Sequence, residues 1–553
     1  MQSFRSEIEN PIVEKDILDL AKKIAQFKAG EIHEEKFRSL RLARGVYGQR
    51  QQGVQMIRIK LPYGKIQFHQ WKRIADISDE YSTGNLHLTT RQDIQIHFVS
   101  LDRTPELWAK LEQDDITLRE ACGNTVRNIT ASPTSGIDPK ELFDVSPHAD
   151  AAFRYFLRNP ICQEMGRKIK MSFSNTEEDT SLAYLHDVGF IPKIQNGTRG
   201  FKVVVGGGLG AQPMLAHTAY EFLAEDQVIP FIESVLRVFD RHGERNSRHK
   251  ARMKFLIQKI GFEEFMNLVN AETKALKNHS FAIADASAWE VAEPTLLADI
   301  AAPETAEYQT WIDTNTFEQK QAGFHAVYVR ILNGNISSDT SRSLIEALKG
   351  YIGDDIRITI NQGLMLKFVP TANLPYVFQV LNAHGLAAPG ANSIANITAC
   401  PGTDTCNLAI SDSTNITSKL EQVINEEFPA LIHDSAMKIK ISGCMNACGQ
   451  HSMASIGFHG SSLKAADKRV LPALQVLIGG ATLGNGDGRI ADKVIKVPSK
   501  RGPEVLRVLL NNFEENAQDG EYFHEYYDRQ GEKYFYNLLK PIADLTTLVD
   551  SDF

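Results

Sequence analysis

The segment GVQMIRIKLPYGKI at 53–66 decides the fold, because it returns without gaps as GFHAVYVRILNGNI at 323–336. At the same separation, LHLTTRQDIQIHFV at 86–99 matches IRITINQGLMLKFV at 356–369. Both segments of each copy alternate apolar and polar residues, which is typical of half-buried strands, and a helical pattern lies between them. The sequence therefore predicts two copies of a split α+β unit.

The repeat continues into a second module in each copy. Three further pairs of segments share the relation: NTVRNITASP at 124–133 with NSIANITACP at 392–401, KIKMSFS at 168–174 with KIKISGC at 438–444, and VVVGGGLG at 203–210 with VLIGGATLG at 476–484. We interpret the chain as a duplicated protein whose copy one spans roughly residues 45–270 and whose copy two spans 316–540. Differences between the copies then serve as an internal control for function.

The composition excludes several classes of protein. The chain has 553 residues, 42% of them hydrophobic, and is too long for one hydrophobic core. Its formal net charge of −8 provides no global basic field, so we expect no nucleic-acid partner. No apolar run approaches the ~20 residues that span a bilayer, and the N-terminal stretch resembles neither a secretory nor a transit signal. We expect a cytoplasmic protein without a membrane partner.

Four of the six cysteines form two closely spaced pairs. Cys400 and Cys406 have CX5C spacing, and Cys444 and Cys448 have CX3C spacing. In a reducing compartment such clustering indicates metal ligands rather than disulfides, and the small residues nearby allow backbone to wrap an iron–sulfur cluster. Structural zinc is the alternative, but zinc sites favour CX2–4C pairs. We expect the two remaining cysteines to be structural: Cys122 and Cys162.

The copies differ in the residues that carry chemistry. Ser132 stands where copy two has Cys400, and the alignment places Ser174 opposite Cys444, so the candidate ligands belong to copy two alone. Cations show the reverse pattern, with three aligned pairs: Arg58 and Tyr328, Arg91 and Asn361, Arg127 and Ala395. These differences predict an anion pocket on one side of a cofactor and a metal cluster on the other.

Two lysines extend this group of cations. Lys168 and Lys170 alternate on a predicted strand and therefore project to one face. With Arg58 and Arg127 they are candidates for binding an oxyanion and donating protons. A structural role is the alternative interpretation, because the KIK string at 438–440 repeats the alternation in copy two.

A charged segment, NSRHKARMKFLIQKIG at 246–261, predicts a helix. Such a run is ordinarily a solvated helix face. The alternative is a contact with the carboxylates of a cofactor, for which Arg252 is best placed.

Several motifs together resemble the sirohaem and [4Fe–4S] sulfite and nitrite reductase family over almost the whole chain. They are MIRIKLPYG, LTTRQDIQIH, NTVRNI, RKIK, the two cysteine pairs and the closing GEYFHEYYDRQGE. The resemblance implies an α+β, internally duplicated, pseudo-twofold three-domain fold with ferredoxin-like half-domains. It also implies a six-electron reduction, of sulfite to sulfide or of nitrite to ammonia, at a sirohaem joined to a [4Fe–4S] cluster.

The resemblance implies roles for individual residues as well. The four paired cysteines hold the cluster, and the thiolate of Cys448 bridges it to the sirohaem iron. The implied anion-binding cations are Arg58, Arg127, Lys168 and Lys170. The expected sirohaem contacts are Arg91, Gln95, His97, Arg167, Asn446 and, from its position, Arg252. His87 and Gln450 depart from the family pattern, because arginines often stand at those positions.

The resemblance also bears on the substrate and the electron donor. Lys168-Ile169-Lys170 favours sulfite, since nitrite enzymes of the family tend to have Lys-X-Asn there, and nitrite reduction is the alternative. No flavin-binding domain fits the remaining length, so we expect a separate electron donor, ferredoxin first and a flavoprotein subunit second. A non-catalytic cluster-binding protein is the rival from another class.

These expectations divide the chain into five parts. They are an N-terminal helical extension at 1–45, a first ferredoxin-like half-domain at 46–118, a sirohaem and substrate domain at 119–315, a second half-domain at 316–388, and a cluster and sirohaem domain at 389–553.

Overall fold

The structure is a computed structural model that describes residues 10–549 and 552, apart from 286–290, 292, 298–299 and 466–467. Its helices, in chain order, are α1 (Pro11–Lys28), α2 (Glu34–Leu42), α3 (Phe68–Tyr81), α4 (Thr104–Glu112), α5 (Ser146–Phe156), α6 (Val228–His242), α7 (Met253–Ile260), α8 (Phe262–Ala275), α9 (Ala306–Asn315), α10 (Ser338–Leu348), α11 (Leu374–Ala383), α12 (Ser413–Glu427), α13 (Gly502–Asn516), α14 (Phe523–Gln530) and α15 (Glu532–Leu539). Within the described residues, none of these helices is long and apolar enough to cross a membrane.

The strands of copy one are β1 (Val46–Gly48), β2 (Val54–Ile59), β3 (Lys65–Ile66), β4 (Asn85–Leu88), β5 (Ile94–Ser100), β6 (Thr130–Ala131), β7 (Met171–Phe173), β8 (Val188–Gln195), β9 (Thr198–Val205) and β10 (His217–Ala224). The strands of copy two are β11 (Thr316–Glu318), β12 (Phe324–Val329), β13 (Asn335–Ser337), β14 (Ile356–Ile358), β15 (Leu364–Pro370), β16 (Thr398–Ala399), β17 (Ile439–Ser442), β18 (Ile456–Lys464), β19 (Val470–Ile478), β20 (Ala481–Gly484), β21 (Asp487–Arg489) and β22 (Asp492–Pro498).

The α+β unit predicted at the start of each copy is present. In copy one, β2 and β5 pair antiparallel and α3 covers the sheet with the buried side chains of Trp71, Ile74 and Ile77, which recur at helical spacing. Copy two repeats this arrangement with β12, β15 and α10. The internally duplicated α+β fold is therefore confirmed.

The two units exchange strands. The first sheet has the order β1-β2-β5-β4-β13, and the second has the order β11-β12-β15-β14-β3. Thus β13 of copy two pairs with β4 of copy one, and β3 of copy one pairs with β14 of copy two. One continuous hydrophobic core includes buried residues of both units. The pseudo-twofold halves are therefore interlocked, which the sequence pattern did not predict.

The second module of each copy is a mixed five-stranded sheet. The orders are β10-β9-β8-β7-β6 in copy one and β16-β17-β18-β19-β22 in copy two, with the first three strands along the chain parallel in both. Because β6 and β7 are parallel, as are β16 and β17, the loops that follow them meet at one edge of each sheet. Each module has its own core.

The sheet register corrects one part of the repeat alignment. Thr130 pairs with Ser172 in copy one, and Thr398 pairs with Lys440 in copy two. The structural offset between the copies is therefore 268 residues here, whereas the matched KIK strings are 270 apart. Lys440 is thus the counterpart of Ser172 and not of Lys170. The identical letters gave a match that is wrong by two residues.

A conserved turn supports the corrected offset. Ser174 Oγ accepts a hydrogen bond from the backbone N–H of Ser181 at 3.0 Å, and Ser442 Oγ accepts one from Gly449 N–H at 2.9 Å. Ser174 is therefore the counterpart of Ser442, and the predicted pairing of Ser174 with Cys444 is wrong. The corrected counterparts of the four cysteines are Ser132, Asp138, Thr176 and Thr180.

Candidate active site

The four paired cysteines lie on the loops that follow β16 and β17. Cys400 Sγ accepts a hydrogen bond from the backbone N–H of Gly443 at 3.1 Å, so the first loop is fastened to the second. Cys444 Sγ accepts a hydrogen bond from the side-chain amide of Asn446 at 3.4 Å. Cys448 is exposed and the other three are buried or half-buried. The parallel strands have therefore brought the CX5C and CX3C pairs together.

The four thiols lie close enough to influence one another electrostatically. Burial raises the pKa of Cys400 to about 12, and the thiol of Cys448 adds to this shift. Burial also raises the pKa values of Cys406 and Cys444, and Cys448 again contributes to both. Four thiols this close to one another favour the binding of a metal centre, which displaces their protons. The chemistry of the donor set fits an iron–sulfur cluster, which is held by four cysteine thiolates.

The cysteine site differs from a site for one metal ion. Within the described residues, no three His, Cys, Asp or Glu side chains are grouped so that they could hold one metal ion. A tetrahedral zinc site gathers all its ligands around one ion, whereas a four-iron cluster distributes its thiolates over four iron atoms. The two cysteine pairs therefore suit a centre whose thiolates are spread over several iron atoms.

Glycine makes room between the two loops. A Cβ atom on Gly443 would lie 2.8 Å from the Cα of Gly402 and 3.0 Å from the Cβ of Ala409. A Cβ atom on Gly449 would lie 1.9 Å from the carbonyl oxygen of Ile441. The close approach of the backbone that small residues predicted is present around the cysteines.

A group of cations from copy one stands next to this centre. Desolvation lowers the pKa of Lys170 well below its usual range, as do Arg91 and Arg252, while the thiol of Cys448 opposes this shift. Desolvation likewise lowers the pKa of Lys168, with Lys170 and Arg127 as the next causes. Both lysines are half-buried, and neighbouring arginines crowd their ammonium groups with like charge.

The arginines of this group are each held by different contacts. Arg127 donates from Nε to the carbonyl oxygen of Gly123 and from Nη1 to that of Ala121, both at 3.0 Å. Arg91 donates to the carbonyl oxygen of Asn128 and contacts His186 Nε2. Desolvation is the largest cause that lowers the pKa values of Arg91 and Arg167 to about 10.

Arg252 differs from its predicted position. It stands immediately before α7 as the capping residue and not on a helix face, and the residues before it form only a short turn at 248–250. Its Nη2 donates to Asp187 Oδ2 at 2.8 Å. The same oxygen accepts the backbone N–H of Lys170 at 2.9 Å, so Asp187 connects two of the predicted site residues.

Arg58 lies beside Asp93 and close enough to the thiol of Cys448 for the two to interact. Its Nη1 is 3.3 Å from Asp93 Oδ2. Desolvation lowers the pKa of Arg58, but Cys122, Asp93 and Cys448 together raise it above the usual value. Cys122, expected to be only structural, therefore lies beside two predicted anion-binding residues, since it also acts on Arg127. The buried Cys162 packs in the core of the copy-one module, as expected.

Gln95 and His97 lie on β5, and Asn446 lies on the second cysteine loop. Gln95 pairs in the sheet with Arg58 on one side and His87 on the other. His97 lines a cavity of about 180 Å³ with His87, Asn335 and three residues of the first cysteine loop, Pro401, Asp404 and Thr405. Burial lowers the pKa of His97 to about 3 and that of His87 to about 4, so both rings are neutral. The amide of Asn446 is directed to Cys444.

The cations retain unused hydrogen-bonding capacity. Seven buried guanidinium Nε atoms in the described structure have no hydrogen-bond partner, and four of them belong to this site: those of Arg58, Arg91, Arg167 and Arg252. The ammonium groups of Lys168 and Lys170 likewise make no hydrogen bond within the described residues. Buried donors are normally paired, so these groups fit a cofactor that carries many carboxylates, as sirohaem does, together with an anion.

Sequence reasoning missed three residues of this site. Asp187 and His186 lie outside every motif, and Asp93 lies within LTTRQDIQIH but was not among the candidate residues. The only available signal was their absence from copy two, where Gly363 replaces Asp93 and Ser455 replaces Asp187.

Comparison with known proteins identifies the relatives of this chain. The family model described as the nitrite and sulphite reductase 4Fe-4S domain matches residues 122–277 and 390–543, and the nitrite/sulfite reductase ferredoxin-like half domain matches 47–114 and 317–384. Proteins of this family bind sirohaem and a [4Fe–4S] cluster.

Individual relatives are similar over most of their length. A sulfite reductase [ferredoxin] 1 of Mycolicibacterium paratuberculosis is 27% identical, with 87% of this chain and 86% of the relative covered. An assimilatory ferredoxin-dependent nitrite reductase of Haloferax mediterranei is also 27% identical, with 88% and 84% covered. The solved structure of the Mycobacterium tuberculosis NirA protein has the same fold, with a TM-score of 0.79 and 24% identity over 94% of this chain and 95% of that one. The matched domains and the cysteine site together show that this chain belongs to the nitrite and sulphite reductase family.

Proposed function

We propose that this protein reduces sulfite to sulfide with six electrons, at a sirohaem joined to a [4Fe–4S] cluster, in assimilatory sulfur metabolism. The observation that carries the proposal is the juxtaposition of Cys448 with Lys170 and Arg58, because it brings the cysteine centre into electrostatic contact with cations that have donors left for an anion. Relatives named for sulfite and for nitrite reduction support the reaction class.

Each residue set has a proposed role. Cys400, Cys406, Cys444 and Cys448 would hold the cluster, and the Cys448 thiolate would join it to sirohaem. The proposed sirohaem contacts are Arg91, Gln95, His97, Arg167, Asn446 and Arg252. When bound, the two cofactors supply the electrons to the anion and a metal centre for it to bind. The Nε donors of Arg91, Arg167 and Arg252 have no partner within the described residues, so these arginines are available to bind the sirohaem carboxylates.

Four cations bind the anion and provide protons. Arg58 and Arg127 retain their charge at all relevant pH values and attract the oxyanion. Lys168 and Lys170 have pKa values that desolvation lowers, so an ammonium group there gives up its proton readily. An entering anion adds negative charge and raises those pKa values again, so that substrate and protons arrive together. The oxygen atoms removed from sulfite leave as water with such protons.

Nitrite reduction is the second candidate. The relatives include enzymes named for nitrite as well as for sulfite. The lysine at 170 favours sulfite, because the dianion gains more than nitrite from each additional positive charge. The decisive experiment compares steady-state kinetics of the holoenzyme with reduced ferredoxin and either anion. We expect a higher kcat/KM for sulfite; a higher value for nitrite would replace the proposed substrate.

We further propose ferredoxin as the electron donor, with a flavoprotein as the alternative, and the cytoplasm as the location. The proposed domain division keeps its five parts: 1–45, 46–118, 119–315, 316–388 and 389–553. Purified protein should show sirohaem absorption and an iron–sulfur signal. Recovery of a colourless, zinc-loaded protein would reject the redox function altogether.

A further inference from the structure

The ion pair between Arg58 and Asp93 belongs to copy one alone. The turn that carries Asp93 recurs in copy two, since the backbone N–H of Asp93 is donated to Thr89 Oγ1 at 3.3 Å and that of Gly363 to Thr359 Oγ1 at 3.0 Å. A Cβ atom on Gly363 would lie 2.5 Å from the carbonyl oxygen of Val329. Copy one has thus opened space for a carboxylate that copy two has no room to hold.

The carboxylate of Asp93 is surrounded by positive charge. Asp93 is 1% exposed, and four cations act on it: Arg58, Arg91, Lys60 and Arg127. Lys60 has a second anion, Glu120, whose Oε2 is 3.8 Å from its Nζ. The other three cations belong to the proposed anion and sirohaem site. Asp93 therefore reduces the positive charge around Arg58, Arg91 and Arg127, as Asp187 does beside Arg252.

Only one of the two oxygen atoms of the Asp93 carboxylate is paired within the described structure. Oδ2 approaches Arg58, whereas the buried Oδ1 has no hydrogen-bond partner within the described structure. An unpaired buried carboxylate oxygen destabilises a fold, so its presence is not explained by stability. Its effect on the neighbouring arginine and on the local charge is the remaining physical consequence.

We propose that Asp93 is a positioning residue that holds the Arg58 guanidinium toward the anion and, by cancelling one unit of charge, sets the preference between dianionic and monoanionic substrates. The inference rests on the proposed function, because it concerns the oxyanion that Arg58 binds. The interaction energy of a fixed charge with a bound anion is proportional to the anion's charge. Removal of the carboxylate charge therefore changes the binding energy of a dianion by twice as much as that of a monoanion. If the affinity for a monoanion changes by a certain factor, the affinity for a dianion changes by the square of that factor.

The test measures dissociation constants of the sirohaem-containing holoenzyme for sulfite and for nitrite, read from the absorption change on titration at alkaline pH, where sulfite is the dianion. Asp93→Asn keeps the shape and an acceptor for Arg58 but removes the charge. We expect about threefold tighter binding of nitrite and about tenfold tighter binding of sulfite at low ionic strength, with both gains smaller in high salt. Asp93→Glu, which keeps the charge, should retain the wild-type ratio of the two constants.

Two further variants separate charge from structure. Glu421→Gln neutralises a buried carboxylate that lies 3.2 Å from Arg330 in copy two, and we expect the affinity ratio to stay unchanged. Asp93→Gly reproduces the residue that the same turn has in copy two, so it provides a variant that can fold if Asp93→Asn does not. In Asp93→Gly, Arg58 loses its anchor, and kcat should fall about tenfold for both substrates while sirohaem content is retained.

The outcomes distinguish this inference from the proposed function. Equal changes for the two anions, or none, in Asp93→Asn would overturn the role of Asp93 while wild-type sulfite reduction stands. A Glu421→Gln variant with the same altered ratio would also overturn it. If wild-type holoenzyme reduces neither anion, the proposed function fails first.

Discussion

The cysteine site of copy two and the equivalent site of copy one share a scaffold but differ in what fills it. In copy one, Ser132 Oγ lies 2.5 Å from Thr180 Oγ1, and these residues are the counterparts of Cys400 and Cys448. Asn175, the counterpart of Gly443, is fully buried, and its amide donates to Thr134 Oγ1 at 3.0 Å and Glu141 Oε2 at 3.2 Å. Where one copy leaves room between its loops, the other closes the space with hydroxyl and amide hydrogen bonds.

The anion site shows the opposite asymmetry. Lys170 has no hydrogen-bond partner for its ammonium group within the described residues, whereas its corrected counterpart, Lys438, donates to the carbonyl oxygen of Asn392. The neighbouring Lys440 donates to Asn361, Thr398 and Gln450. The lysines of copy two thus donate to acceptors of the protein itself, whereas the ammonium group of Lys170 in copy one is available to a ligand. The comparison teaches that a lysine in this fold acts on ligands only where the protein gives it no partner.

The largest effect is expected from a substitution in the cysteine site of copy two. Cys448→Ser introduces a hydroxyl like that of Thr180 and removes the proposed bridge. We expect loss of the coupled sirohaem and cluster signals and at least about a thousandfold loss of sulfite reduction. Iron content, absorption and electron paramagnetic resonance measure the result. Cys162→Ala, in the core of copy one, is the control and should keep the cofactors; normal spectra in Cys448→Ser would rule out the bridge.

The next effect concerns the free lysine. Lys170→Asn should lower kcat/KM for sulfite by about a hundredfold, and that for nitrite by less, because one ammonium group that contacts the anion is lost. Cofactor content should remain intact. Lys438→Asn is the matched change in copy two; it should lower the free energy of unfolding by about 1 kcal/mol and leave the substrate preference unchanged. Equal kinetics for Lys170→Asn and wild type would refute the role of Lys170.

A smaller effect is expected when the residue between the two loops is exchanged between the copies. Gly443→Asn brings the copy-one side chain into copy two, where a Cβ atom already meets Gly402 at 2.8 Å. We expect a loss of about 1–3 kcal/mol in the free energy of unfolding and an iron content reduced by about half or more. The reciprocal variant Asn175→Gly should lose hydrogen bonds but keep its iron. Full iron content in Gly443→Asn would show that the two loops are not the cluster cradle.

The effect expected to be smallest on catalysis concerns the pH dependence of stability and the residue that replaces His97. In copy two this position is Lys367, which is buried and donates to the carbonyl oxygen of Ser135 at 2.6 Å. Burial lowers its pKa to about 7, from 10.5 in the unfolded chain. Between these values the unfolded state binds more protons, so the free energy of unfolding should rise with pH by up to about 1.4 kcal/mol per unit. Lys367→Met should have a shallower rise between pH 7 and 10; equal slopes would contradict the shift.

Much of the fold and of the cysteine site could be predicted from the sequence. The repeat at 53–66 and 323–336 predicted both α+β units, because alternating strands and a helix leave a strong periodic pattern. The CX5C and CX3C spacing predicted that the four cysteines are metal ligands, and the parallel strands β16 and β17 deliver the loops that carry them to one edge. The cations of copy one were found because copy two lacks most of them.

The remaining features leave no periodic signal. The strands β3 and β13 have only two and three residues, so their exchange could not be read from alternation. The KIK strings matched by chance at an offset that the sheet register contradicts. Asp93 and Asp187 act through contacts formed by residues distant in sequence, and a buried carboxylate has the same letter as an exposed one.

The exchange of β3 and β13 has a consequence for the order of synthesis and folding. The sheet of copy one ends at β4 until Asn335–Ser337 has left the ribosome, so for a long stretch of synthesis that edge offers unpaired backbone groups to other chains. Conversely, β14 meets a partner, β3, that was made almost 300 residues earlier. Neither half is a complete domain by itself, and the nascent chain needs protection until copy two arrives.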